Sequence, residues 1–264
     1  MEKKGHLDEA RRKRLEKYVA YALGVLPALS HSKTGWGDLY NHCLIEAARA
    51  RAFADVLGFD KGLTKDLILA SLFHDGNKRL EIAAIQEAAT SGESTRNASN
   101  TVTKRYLEEL AEKGISRRVI RFISLVGGAP NVLLEITKIL EKKSLSAEEV
   151  ATLVAHYIDD YTTGGEWATP AAHMPDGTFI NDIDRRMEKN RNNPNYKEID
   201  AEDLRTLQDL QIFSGKSSFE TMAVVSHEVE KKLVSLVRSW TGISHFRIPE
   251  IIDDRIREWL SAAA

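Results

Sequence analysis

Seven consecutive residues set the strongest limit on what this chain can fold into. Leu67 to Phe73 reads Leu-Ile-Leu-Ala-Ser-Leu-Phe and stops at His74-Asp75-Gly76. Apart from Ser71, the run is apolar around the whole circumference of a helix. A helix with no polar face belongs in the centre of its domain. Elsewhere apolar residues recur at spacings of three and four, and strand-like alternation is scarce, so the expected class is all-α. The 264 residues, 42% hydrophobic and 29% charged, suffice for a sizeable core. One cysteine, Cys43, excludes a disulfide scaffold.

Three function classes lose support at this level. No apolar stretch approaches the roughly 18 residues needed to cross a bilayer. The first residues are charged and lack a signal-peptide core, so the cytoplasm is the expected compartment. A formal net charge of −2 gives no support to a dedicated nucleic-acid binder.

Local signals divide the chain. Residues 1–35 read as a helix and a loop. Within 36–161 the first helix spans Asp38 to Leu57, with Asp38 as N-cap and Gly58 as the C-terminal glycine. Thr90 to Thr101 reads as a polar loop between two helices. Asn131 is expected to cap a later helix, and Ser146 with Glu149 forms a capping box for a helix ending near Tyr161. Residues 162–200 read as a loop-rich excursion with a short helix around Ile183–Lys189. Residues 201–264 read as helices that pack on the body or on a second copy in a homodimer, with Ser217 and Glu220 as another capping box.

Ionisable residues at the end of an apolar helix need partners, because burying them alone costs several kcal/mol, of order ~2–7 for an uncompensated polar group. His42, in an alanine-rich helix, and Asp159, in a mostly apolar one, are suitable partners for His74 and Asp75. With His-Asp-Gly-Asn-Lys at 74–78, this pattern resembles the HD superfamily of metal-dependent phosphohydrolases, over about Asp38 to Tyr161. That superfamily has a first histidine, a His-Asp doublet and a later aspartate, all on helices. The resemblance implies an HD-type helical core with additional C-terminal helices. It also implies one divalent metal ion (Mn, Fe, Co, Ni or Zn) held by His42, His74, Asp75 and Asp159. Such a mixed N/O set suits these ions. The implied reaction is hydrolysis of a phosphoester by a metal-activated water, on a nucleotide or another small phosphorylated metabolite.

The last ligand has two readings in the residues themselves. The apolar stripe of Val150, Val154, Tyr157 and Tyr161 places Asp160 on its side. The family's final motif fits Tyr157-Ile158-Asp159-Asp160-Tyr161 with Asp159 as ligand, and Asp159 is the preferred choice. Lys78 is expected as a catalytic aid and phosphate contact, and Arg185 and Arg186 as phosphate-binding residues of a lid with Lys189 and Arg191. The interleaved Asp182, Asp184 and Glu188 equally suit surface pairing. Glu46 is read as a salt-bridge partner in preference to a ligand-orienting group. His156 is either a site-lining or a surface histidine. Trp36 is a pocket-mouth aromatic or a core anchor, and Cys43 a small buried residue turned away from the site. Two alternatives stand beside phosphohydrolysis: a non-catalytic nucleotide-binding or signalling module, and a di-iron oxygenase. The second is disfavoured because no histidine lies between Asp75 and His156.

Overall fold

The structure is a computed structural model that describes residues 9–23, 37–162, 182–211, 217–241 and 248–262. Every regular element among them is helical, so the chain is all-α. The core half comprises α1 (Glu9–Leu23), α2 (Gly37–Leu57), α3 (Lys61–Phe73), α4 (Lys78–Ser91), α5 (Thr95–Glu112), α6 (Arg117–Ser124), α7 (Pro130–Leu140) and α8 (Ala147–Tyr161). The second half adds α9 (Asp182–Arg191), a 3-10 turn (Pro194–Tyr196), α10 (Lys197–Asp209), α11 (Ser218–Thr241) and α12 (Ile248–Ala262). None of these helices is long and apolar enough to cross a membrane.

The centre of the molecule is α2 and α8 as much as α3. α2 is buried continuously from His42 to Ala54, and α8 from Val150 to Tyr161. Alanines at 47, 48, 50, 52 and 54 keep α2 thin. Neighbouring helices can therefore approach it closely, and α1, α3, α8 and α12 all pack on it. α3 presents Leu67, Ile68, Ala70 and Leu72 to this core and is started by Asp60, whose carboxylate accepts from the Leu63 N–H at 2.8 Å. The C-terminal helices belong to the same packed body. Arg49 of α2 reaches Asp253 of α12 through two bonds of 3.1 Å and Thr162 Oγ1 at 2.7 Å, with its guanidinium over the Tyr161 ring.

Several local expectations hold. Gly58 has φ +65° after α2, where a residue with Cβ is strained. Ser146 and Glu149 form the reciprocal capping box, and Ser217 Oγ accepts from the Glu220 N–H at 3.1 Å. The short helix in the excursion is α9. Residues 163–181, and Trp36 with the loop before α2, lie outside the described residues.

Three expectations are corrected. α2 begins at Gly37, so Asp38 sits inside it and is not the N-cap. α7 begins at Pro130 with Ala129 as N-cap. Proline suits the first helical position, where its missing N–H would have no partner, so Asn131 falls one residue inside. The polar stretch from Thr90 to Thr101 is mostly helix. Only Gly92, Glu93 and Ser94 separate α4 from α5. Its polarity is satisfied by tertiary partners. Glu202 of α10 accepts from Thr95 and Arg96 backbone N–H groups at 2.9 and 3.0 Å, and Ser99 donates to Glu81 at 2.7 Å.

Candidate metal centre and its cavity

Three helices bring ionisable groups to one point. α2 contributes His42 and, one turn later, Glu46. The end of α3 delivers His74 and Asp75, and α8 contributes Asp159. His74 is the C-cap of α3, and its backbone N–H still bonds to Ala70. The turn that follows is held by Tyr106 of α5, whose hydroxyl donates to the Phe73 carbonyl at 2.7 Å. This contact explains Gly76. A Cβ there would lie 2.2 Å from the Tyr106 oxygen, so a larger residue would displace the Tyr106 hydroxyl from the Phe73 carbonyl.

The ligand-type atoms converge. His42 Nε2 lies 2.9 Å from Glu46 Oε1, 3.5 Å from Asp159 Oδ1 and 3.7 Å from Asp75 Oδ2. His74 Nε2 lies 3.5 Å from the same Asp75 oxygen and 3.7 Å from the same Asp159 oxygen. Two ligands each about 2.1 Å from one ion stand roughly 3.0–3.4 Å apart for angles between square and tetrahedral. The observed separations sit close to that range, so the residues fit a single metal ion.

The supporting contacts point the same way. His74 Nδ1 faces the Ser71 carbonyl at 2.9 Å. A carbonyl only accepts, so Nδ1 carries the proton there, and in the neutral ring Nε2 is left with its lone pair toward the cluster. His74 Nε2 is a buried atom without a hydrogen-bond partner among the described residues. A buried cluster of His42, Glu46, His74 and Asp159 that can hold a metal ion is therefore present. The Asp75 carboxylate adjoins it, 18% exposed on the cavity side.

The cluster's own charges are strongly coupled. Burial opposes charge on His42, but the Glu46 carboxylate and bonds with Asp159 and Glu46 outweigh it and raise the imidazole to about 10. Burial likewise opposes charge on His74, yet Glu46 and Asp75 carry it well above the usual histidine range. Burial disfavours the charged Asp159 as well. Arg186 and the two imidazoles overcome that and hold its carboxyl well below the usual range. Three carboxylates at one point thus draw positive charge from whatever can supply it.

Two further cations flank the cluster. Arg186 of α9 donates from Nη2 to Asp159 Oδ1 at 2.5 Å, and its Nη1 bonds to the Thr162 carbonyl. Lys78, at the start of α4, has Nζ 3.9 Å from Asp75 Oδ1 and 3.2 Å from Glu81 Oε2. Burial disfavours its ammonium, but Glu81 and Asp75 keep it charged. All of this lies at a cavity of about 1040 Å³.

The structure therefore brings together His42, His74, Asp75, Asp159, Lys78 and Arg186. Arg185, one residue from Arg186, is not among the residues lining the cavity, because neighbouring positions on a helix point about 100° apart. Glu46 is an ion-pair partner as expected, of His42 at 2.9 Å and His74 at 3.3 Å, and this makes it a member of the cluster. The available signal was its position one turn after His42, on the same helix face. His156 neither lines the site nor lies at the surface. It is fully buried, with Nδ1 3.1 Å from the Leu125 carbonyl and Nε2 3.2 Å from Asp160. Cys43 is a free, buried thiol. No protein-family model, curated protein or solved structure matches the chain.

Proposed function

We propose that the protein is a metal-dependent phosphohydrolase of the HD type. The reading rests on one observation: two imidazole nitrogens each lie within 3.7 Å of two aspartate oxygens, beside two partly buried cations, at the wall of a large cavity. His42, His74, Asp75 and Asp159 would hold one divalent ion of the Mn, Fe, Co, Ni or Zn type, with Glu46 orienting the imidazoles. When bound, such an ion neutralises phosphoryl charge and lowers the pKa of a water.

The chain's own groups supply the rest. Lys78 and Arg186 are placed to bind the non-bridging phosphate oxygens through charge-assisted hydrogen bonds. Asp75 turns Oδ2 to the histidines and Oδ1 to Lys78. It can accept a hydrogen bond from the attacking water and hold that water beside the phosphate. Hydrolysis consumes one water. An oxygen–phosphorus bond forms, the ester oxygen–phosphorus bond breaks, and the alcohol leaves with a proton.

The test is metal content by elemental analysis of the purified protein and of Asp75→Ala, followed by a phosphate-release screen. About one transition ion per chain, absent from the variant, with phosphate release that needs that ion, is the expected result. No metal uptake by either protein after reconstitution with these ions would end the catalytic reading. One contact favours the non-catalytic module instead: Arg186 already gives Asp159 an internal cation. That module would bind an anionic ligand without metal and without turnover.

A further inference from the structure

The cavity is much larger than a phosphate group requires, and its walls differ on the two sides of the cluster. α5 lines it from Arg96 to Ala111, about 22 Å at 1.5 Å per residue. Tyr106 and Thr103 mark the level of the cluster, because they bond to Phe73 and Asn77 beside the His-Asp doublet. Toward the N-terminus of α5 the wall is polar, and its Arg96 and Ser99 are already paired. Arg96 pairs with Asp203, and Ser99 donates to Glu81.

Toward the C-terminus of α5 the wall is aliphatic. Leu107, Ile120, Ile123, Val132 and Met222 line it from four helices. Ser124, on that side, already donates to the Arg121 carbonyl at 2.8 Å. Lys104, Glu108, Arg117 and Asn131 are exposed and stand at the rim. A nucleobase needs hydrogen-bonding partners for its edge, whereas this arm offers methyl and methylene groups. From Tyr106 to Ala111 it follows α5 for about 8 Å.

We propose that the ligand of this site is amphiphilic: a phosphate monoester whose alcohol part is an aliphatic chain, its head at Lys78 and Arg186 and its chain in the Leu107–Ile123–Val132 arm. The head group rests on the phosphohydrolase reading; the chain rests on the cavity wall alone. The proposal narrows the substrate away from nucleotides, whose sugar and base would meet aliphatic walls there.

The test is isothermal titration of the Mn²⁺-loaded protein with ethyl- and hexylphosphonate, which cannot be hydrolysed, with hexanol and with the phosphonate analogue of a nucleoside monophosphate. Burying each further methylene is worth up to about fourfold in affinity. Hexylphosphonate is therefore expected to bind at least about tenfold tighter than ethylphosphonate and than the nucleotide analogue. Leu107→Asp should abolish that gain while leaving ethylphosphonate affinity and metal content unchanged. Ala129→Leu keeps the wall apolar but takes up room. It should weaken hexylphosphonate and spare ethylphosphonate, which separates loss of space from loss of folding. Equal affinity along the chain-length series, or tightest binding of the nucleotide analogue, would overturn the amphiphile and leave phosphohydrolysis standing. Hexanol binding as tightly as hexylphosphonate would overturn the phosphate head, and with it the phosphohydrolase reading.

Discussion

Asp159 and Asp160 are neighbours on α8, yet they belong to two different kinds of site. Each lies beside a buried histidine. Asp159 meets His42 and His74 at the cavity. Asp160, turned about 100° around the helix, accepts from Ser226 and lies 3.2 Å from His156 in the core. Both groups contain a buried imidazole Nε2 with no hydrogen-bond partner among the described residues. An orphaned ring nitrogen is therefore not enough to mark a ligand. The difference is convergence and access. Five ionisable side chains from two helices, α2 and α8, and the turn after α3 meet at the cavity wall, whereas one histidine, one carboxylate and one hydroxyl meet in the core, away from the cavity. Burial pushes the Asp160 carboxyl up to about 6, against the pull of His156, while nearby cations hold Asp159 down.

The sharpest way to break this contrast is to remove each aspartate in turn and measure bound metal. Asp159→Ala and Asp75→Ala are expected to lose stoichiometric metal, with affinity falling by more than about a hundredfold. Loss of a single outer contact typically costs only about 10–100-fold. Asp160→Ala should keep one ion per chain. Equal loss from all three would mean that the two groups form a single site.

Acidity tests the same contrast from the charge side. His42, raised to about 10, and His74, raised well above its usual value, are protonated at neutral pH in the cluster's own field. A metal ion must displace a proton from each. Apparent metal affinity should therefore rise with pH, by up to about a hundredfold per unit for two protons. Titrations between pH 6 and 8 in buffers of different ionisation enthalpy would count them. An affinity flat over that range would show that the imidazoles are neutral before the ion arrives.

Stability should reverse the ranking of the two aspartates. Asp160→Ala leaves Ser226 and His156 fully buried without their carboxylate, a loss of about 1–3 kcal/mol. Asp75→Ala, at a side chain that reaches the cavity and that leaves Glu46 and Asp159 to hold the imidazoles, should cost metal-free stability less than Asp160→Ala does. Urea denaturation of both variants without metal measures this. A larger loss at Asp75 would make the cluster a structural element first.

Much of this arrangement was legible in the residues, and the exceptions share a cause. Helix class, the caps at Gly58 and Ser146, and the grouping of His42, His74, Asp75 and Asp159 depend on local pattern and a short motif. The apolar stripe of α8 favoured Asp160 because such a stripe marks the core. A cavity-facing residue sits beside the stripe, which is where Asp159 lies. That Glu46 also reaches His74, the helical course of Thr95–Thr101 and the close approach of Tyr106 to Gly76 were not legible. Each depends on a partner distant in sequence: the histidine of another helix, Glu202 of α10, or the Tyr106 hydroxyl. The aliphatic arm is likewise a property of four helices together, and none of its residues stands out in its own helix.

A third histidine–carboxylate group, at the surface, extends the comparison to its mildest case. His227 of α11 lies 2.9 Å from Asp184 of α9 and 3.7 Å from Glu230, which also accepts from Tyr157 at 2.7 Å. It ties to α11 the helix that carries Arg186. The bond with Glu230 raises the imidazole to about 8; partial burial opposes this and Asp184 adds to it. A folded-state pKa above the unfolded value of about 6.5 stabilises the fold fully below that value, and the contribution is lost as pH rises through about 8. The side chain is 30% exposed and Asp184 is more so, so water weakens the pair. His227→Ala should then cost less than about 1 kcal/mol at pH 6 and almost nothing at pH 9. Denaturation at the two pH values checks the sign. A cost that grows toward pH 9 would mean that the neutral ring, through packing, is what holds α9 in place.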